Sequence, residues 1–77
     1  MEKKLSCSIE IHEEELSDGK KVFVADCIEL GVSDFGDTIN EALENLKEAI
    51  KLLLEEIPEK KELLEKEGPI FVSRIFL

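Results

Sequence analysis

Cationic side chains are scarce in this chain. It carries 10 Lys and Arg residues against 19 Asp and Glu residues, which gives a formal net charge of -9. Nucleic acids and anionic membranes both require a cationic protein surface, so this balance disfavours direct binding to either. A basic protein partner would suit the charge, whereas the alternative interpretation is that acidity only keeps a small domain soluble.

Residues that support metal or nucleophilic chemistry are also few. Cys7 and Cys27 lack the CxxC spacing of a zinc site or a thioredoxin-like motif, and we interpret them as reduced core residues. His12 is the only histidine, so neither a histidine pair nor a Ser-His-Asp set can be assembled in one chain. We interpret His12 as a surface residue at the end of a strand. The sequence therefore predicts no catalytic residue, no metal ligand and no cofactor.

Segments that bind phosphate, direct export or span a membrane are missing from the sequence. Gly31 and Gly36 do not have the spacing of a phosphate-binding loop. The N-terminal residues do not resemble a signal peptide, and no apolar stretch approaches the length of a membrane span. With 77 residues and no repeat or linker, the sequence predicts a single cytoplasmic domain over residues 1–77 with one core.

The clearest positive signal is a helix that begins after Thr38. Thr38 and Glu41 have the spacing of a capping box, in which the threonine hydroxyl accepts from the Glu41 amide and the glutamate reaches back to the Thr38 amide. Leu52 lies off the apolar stripe of this helix and is either singly exposed or a contact to another chain. The stripe itself recurs at three- and four-residue steps over Ile39, Ala42, Leu43, Leu46, Ala49, Ile50, Leu53, Leu54 and Ile57.

Three strands are predicted before this helix. Residues 4–12 alternate between apolar and polar side chains, which is the period of a half-buried strand. Residues 21–27 form the second strand, and residues 32–35 form the third after a bend at Gly31.

The connection between the first two strands predicts their register. Asp18-Gly19 is typical of a two-residue hairpin loop, which places Ala25 opposite His12. In this register Cys27 cannot face Cys7, which is a second reason to expect no disulfide. A bulge would shift the register.

The part of the chain after the long helix predicts a short helix and a last strand. Pro58 suits the first position of a second helix over residues 58–67. Residues 70–77 are rich in branched and aromatic side chains and form the fourth strand. The predicted fold is α+β, a small antiparallel sheet in the order β-β-β-α-β, with the long helix and the short second helix on one face.

Four carboxylates lie along the region that joins the sheet to the helix. Grouped carboxylates could bind a divalent ion or do acid-base work in a small metal-dependent nuclease, although such residues are more often solvated or capping. Asp37 can also favour the positive N-terminus of the helix beside it. We expect the four to line a partner-facing edge, and they are Asp26, Glu29, Asp34 and Asp37.

The segment from strand two into the long helix resembles the HicB-like antitoxin family. The family pattern is a hydrophobic strand, an acidic turn, Gly-Asp-Thr, two residues, Glu-Ala, and a helix with Asn and Ala-Ile at fixed spacing. The chain matches it in order at Gly36-Asp37-Thr38, Glu41-Ala42, Asn45 and Ala49-Ile50. Residues 28–31 depart from it, because many members have two prolines in this turn and this chain has none.

The resemblance implies a fold and a function. The family has a partial ribonuclease-H-like fold, is regarded as non-catalytic, and often carries a C-terminal DNA-binding domain, which we do not expect in this protein. It implies a stand-alone module that neutralises a small basic mRNA-cleaving toxin of the HicA type, without direct nucleic acid binding. The alternatives are the small nuclease above and an orphan family member with another protein partner.

The predicted fourth strand indicates a homo-oligomer, most simply a dimer. Its apolar side chains occupy both parities, so one set has no partner within a sheet covered on one face. A two-fold interface would bury that set on both copies, and the alternative is that the patch awaits the toxin. The expected interface residues are Phe71, Ile75, Phe76 and Leu77.

Overall fold

The computed structural model describes residues 5–65 and 73–76. Three strands, β1 (Ile9–Glu15), β2 (Lys21–Cys27) and β3 (Val32–Gly36), form an antiparallel sheet in the order β1-β2-β3. Helix α1 (Ile39–Glu56) packs on β2 and β3, and a 3-10 turn (Pro58–Lys60) leads into the short helix α2 (Lys61–Leu64). The predicted α+β class, with a small antiparallel sheet and a long and a short helix, is confirmed.

The hairpin between β1 and β2 has a three-residue loop, so the predicted register is wrong by one residue. Ala25 pairs with Ile11, and not with His12. The Leu16 amide donates to the Lys20 carbonyl at 2.7 Å, and Gly19 supplies a positive φ of 89° at the end of the loop. A type I turn closed by a left-handed glycine is the usual form of such a loop. Because side chains alternate along a strand, this shift exchanges the two faces of β1.

The shift brings together the two cysteines that the predicted register kept apart. Ile9 pairs directly with Cys27, and Cys7 lies two residues before Ile9 in the chain. Cys7 packs against the core cluster that contains Cys27, and both thiols are free. The prediction that they cannot face each other was therefore wrong, and the prediction that they are reduced stays a prediction. Burial, together with the neighbouring Cys27 thiol, raises the pKa of Cys7 to about 11.

Strand β1 also begins and ends later than predicted. Residues 5–8 have no strand structure, and the strand instead runs on through Glu13, Glu14 and Glu15. The second strand has its predicted bounds, and the third extends one residue further, to Gly36. Gly31 lies in the predicted turn with φ 66°, and its amide donates to the Cys27 carbonyl at 2.9 Å.

Helix α1 begins where the capping box predicts. The Thr38 hydroxyl accepts from the Glu41 amide at 3.1 Å. The Glu41 carboxylate accepts from the Asp37 amide at 2.9 Å, one residue before the predicted donor, Thr38. Leu52 lies off the stripe and is 62% exposed. The stripe packs on the sheet at its centre, and the core cluster consists of Ala25, Cys27, Ala42, Leu46 and Leu64.

The chain after α1 differs in part from the prediction. Pro58 opens the 3-10 turn, and Leu64 of α2 is buried while Leu63 is exposed. The Ser6 amide donates to the Leu64 carbonyl at 3.0 Å, which ties α2 to the segment before β1. Of the predicted fourth strand, residues 70–72 and 77 lie outside the described residues, and residues 73–76 have no regular secondary structure. Neither described α-helix has the length and apolar character needed to cross a membrane.

Candidate partner-binding face

The sheet has one face against α1 and one face that the described helices leave open. Directly paired residues of antiparallel strands share a face, so the pairs Glu14 with Val22 and Val24 with Phe35 place side chains of all three strands together. Ala25 and Cys27 of β2 point the other way and are fully buried. We call the first set the open face, and it consists of Glu10, His12, Glu14, Val22, Val24, Asp26, Ser33 and Phe35.

An apolar groove of about 300 Å³ crosses one end of the open face. Its apolar lining comes from the hairpin loop, from β2 and from β3, and Phe35 is the most exposed of these side chains at 60%. A phenyl ring with this exposure is the kind of anchor that protein interfaces bury at their centre. The groove is lined by Glu14, Leu16, Val22, Val24, Ser33, Asp34 and Phe35.

Carboxylates surround His12 on the open face, and one of them, Glu14, also lines the groove. Its Nε2 lies 2.9 Å from Glu14 Oε1, and its Nδ1 lies 3.4 Å from Asp26 Oδ2. The hydrogen bond to Glu14 is the main cause that raises the pKa of His12, with smaller contributions from the charges of Asp26 and Glu10. His12 lies in the middle of β1, and not at the strand end that the sequence indicated. The open face therefore combines an apolar groove with a concentration of negative charge.

The four carboxylates expected at one partner-facing edge occupy different environments. Asp26 belongs to the open face, and Asp34 belongs to β3, so these two lie in strands and not in a connecting loop. Asp37 precedes α1, where its Oδ1 lies 3.0 Å from Lys20 Nζ. The described residues contain no group of three or more His, Cys, Asp or Glu side chains arranged to hold a metal ion.

Glu29 and Asp34 also have structural roles. The Glu29 carboxylate accepts from the Ser8 amide at 2.8 Å, which ties the turn between β2 and β3 to the residue before β1. Burial alone would raise the pKa of Glu29, but the hydrogen bonds from Ser8 and from its own amide outweigh burial and lower it. The Asp34 carboxylate accepts from the Phe35 amide at 2.8 Å.

Apart from Asp34, the residues that form the groove were not singled out from the sequence. One signal for them was present, because β2 has apolar side chains on both parities: Val22 and Val24 on one, Phe23 and Ala25 on the other. A strand with this pattern needs cover on both faces, and α1 covers only one. Phe35 joins the set because β3 pairs with β2 in register, which is a property of the assembled sheet.

Chemically, the open face is suited to binding. It offers a concave apolar surface, an exposed aromatic ring and carboxylates that can pair with cationic groups. At its surface, His12 is hydrogen-bonded to Glu14 and lies 3.4 Å from the Asp26 carboxylate.

No family model, no curated protein and no solved structure matches this chain.

Proposed function

We propose that this chain is an antitoxin-like binding module of the HicB-like type that neutralises a small basic mRNA-cleaving toxin in the cytoplasm. The observation that carries the proposal is the open face, where an apolar groove and a half-exposed Phe35 lie beside Glu10, Glu14 and Asp26. A protein that cleaves RNA presents cationic side chains to the phosphates. An acidic surface competes for those side chains, and the net charge of -9 favours the same encounter.

The groove supplies the lasting part of the affinity. Burying a phenylalanine side chain completely contributes about 1.5–3 kcal/mol, so covering the exposed part of Phe35, which is 60% exposed, contributes about 1–2 kcal/mol. That free energy corresponds to roughly a 5–30-fold change in Kd. Phe35→Ala should weaken toxin binding by this factor.

Leu52→Ala is the matched control for this change. Leu52 is 62% exposed, close to the exposure of Phe35, but it lies on α1, on the other side of the sheet. Equal losses in the two variants would show that exposed apolar area in general, and not the open face, drives binding.

The carboxylates increase the rate at which the chain associates with its toxin. Charges at the edge of an interface act mainly on association and make it salt-dependent. Glu14→Lys combined with Asp26→Lys should slow association and flatten its salt dependence. Glu44→Lys combined with Glu55→Lys changes the net charge equally, at exposed positions of α1. If the two double variants associate at the same rate, net charge and not the open face controls the encounter.

The proposal is tested with the protein encoded by the adjacent reading frame, which we expect to be short and basic. The purified neighbour should cleave labelled RNA, and an equimolar amount of this chain should stop the cleavage. If the chain itself cleaves RNA with magnesium or manganese, and Asp34→Asn abolishes that cleavage, the small metal-dependent nuclease replaces the antitoxin. If the neighbour is unrelated to RNA cleavage but binds this chain, the orphan member with another protein partner replaces it.

A further inference from the structure

The two edges of the sheet differ in whether they can accept another strand. At the outer edge of β3, side chains form hydrogen bonds with the backbone amide and carbonyl of Phe35. Its carbonyl accepts from Asn45 Nδ2 at 2.8 Å, and its amide donates to Asp34 Oδ1 at 2.8 Å. A strand added here would have to displace both bonds at Phe35, which disfavours pairing at this edge.

Among the described residues, nothing covers the outer edge of β1 in this way. The Leu16 amide donates to Lys20 at one end of the hairpin, and the Ile28 amide donates to Ser8 at the other. Hydrogen-bonded pairs alternate along an antiparallel ladder, so the even-numbered residues of β1 bond to β2. The odd-numbered residues turn their amides and carbonyls outward, and no hydrogen bond to these groups occurs within residues 5–65 and 73–76. They are Ile9, Ile11, Glu13 and Glu15.

Residues 73–76 have exposed apolar side chains that suit a strand paired with the β1 edge. Ile75 is 81% exposed and Phe76 is 87% exposed, which are the highest exposures among the large apolar side chains described. Branched and aromatic residues favour a paired strand. Ile11 at the open edge is itself 39% exposed, because α1 lies over β2 and β3. If residues 73–76 paired with β1 as a strand, Ile11 and the apolar side chains of the segment would cover each other.

Charge also matches the segment to the edge. Strand β1 reads Ile-Glu-Ile-His-Glu-Glu-Glu, and the segment carries Arg74 beside Ile75 and Phe76. A β1 edge paired with another β1 edge would oppose glutamate with glutamate, which disfavours that dimer. An arginine-bearing apolar strand is favoured instead.

We propose that the β1 edge of one copy binds residues 73–76 of a second copy, and that two such pairings form a two-fold dimer. Each copy has one open edge and one exposed segment, so the exchange closes at two chains and buries the same surfaces on both. Backbone hydrogen bonds provide affinity, and Ile75 and Phe76 provide specificity, as in other cases of strand addition. The interface lies at the sheet edge and leaves the groove on the open face available.

Light scattering and amide hydrogen exchange of the isolated protein test the proposal. We expect a mass of two chains at micromolar concentration. The outward amide of Ile11 should exchange slowly in the dimer, as the β2-bonded amide of His12 does. Phe76→Glu should raise the dimer Kd at least about tenfold and speed exchange at Ile11 by a similar factor, without an effect at His12. Arg74→Glu should also weaken the dimer, more strongly at low salt.

Leu52→Glu is the control, because it places the same charge at an exposed leucine of α1. It should remain a dimer with a protected Ile11 amide. A wild-type monomer at micromolar concentration overturns the proposal, and a protected Ile11 amide in that monomer would assign the pairing to the same chain. A dimer that persists in Phe76→Glu overturns it as well, because another surface then holds the copies together. These measurements use only the isolated protein, so their outcome does not depend on whether it binds a toxin.

Discussion

Replacing Gly36 with alanine tests the closest contact between the sheet and α1. A Cβ on Gly36 would lie 2.6 Å from the Ala42 amide nitrogen, 2.6 Å from Glu41 Cβ and 2.8 Å from the Glu41 carbonyl carbon. Two of these three atoms belong to the helix backbone, so relief requires α1 to move away from β3. Overpacking of this kind costs about 1–3 kcal/mol, and the short contacts indicate the upper part, about 2–3 kcal/mol.

This cost should be large for so small a domain. For a domain of this size, 1 kcal/mol corresponds to about 4–8 °C in Tm, so Gly36→Ala should lower Tm by roughly 10–20 °C. Thermal unfolding followed by far-ultraviolet circular dichroism measures the shift. The same movement would displace Thr38, so the helix cap should weaken with it.

Gly31→Ala is the comparison variant, because position 31 requires glycine for its backbone conformation and not for close packing. Gly31 has φ 66° and nothing within 4 Å of an added Cβ, so alanine costs only the left-handed backbone conformation, about 1–2 kcal/mol. Asparagine tolerates that conformation, so Gly31→Asn should recover part of the loss, whereas Gly36→Asn should not. If Gly36→Ala melts at the wild-type temperature, or loses no more than Gly31→Ala, the close approach of β3 and α1 is not as described.

Three further predictions concern single side chains. The pKa of His12 is raised, so its protonation stabilises the fold below the unfolded-state pKa, and this contribution disappears as pH rises through the folded-state pKa. An NMR titration of His12 should give a midpoint above about 6.5, and Glu14→Gln should lower that midpoint. Cys7, with a pKa raised to about 11, should react with iodoacetamide at neutral pH at least about tenfold more slowly in the folded than in the denatured protein, as mass spectrometry would show. Thr38→Ala should cost about 1 kcal/mol in denaturant unfolding and Thr38→Ser much less, and equal losses would contradict the hydroxyl cap.

The elements that the sequence predicted well are those with local signals. Thr38 and Glu41 mark the start of α1, and the stripe through Leu46 follows from residues a few positions apart. Pro58 marks the turn that follows α1, because its ring suits a first helical position. Helix capping and periodicity act within one or two turns of chain, so they can be read without knowledge of the fold.

The hairpin register was not predictable in the same way. Asp-Gly occurs both in two-residue loops and, with glycine last, in three-residue loops. The structure has the latter, with Ser17, Asp18 and Gly19 between Leu16 and Lys20. Which of the two loops forms depends on which face of β1 packs against the core. A difference of one residue decided whether Cys7 and Cys27 meet.

By itself, the sequence determined the acidic character, the α+β class and the position of α1, because composition and short-range periodicity carry that information. Only the tertiary structure decided where the candidate site lies. The groove requires Leu16, Val24 and Phe35 from three separate segments. The negative charge beside it requires Glu14 of β1 and Asp26 of β2 to lie on either side of His12. Strand register and the placement of α1 on one face bring them together, and both depend on contacts between residues distant in sequence.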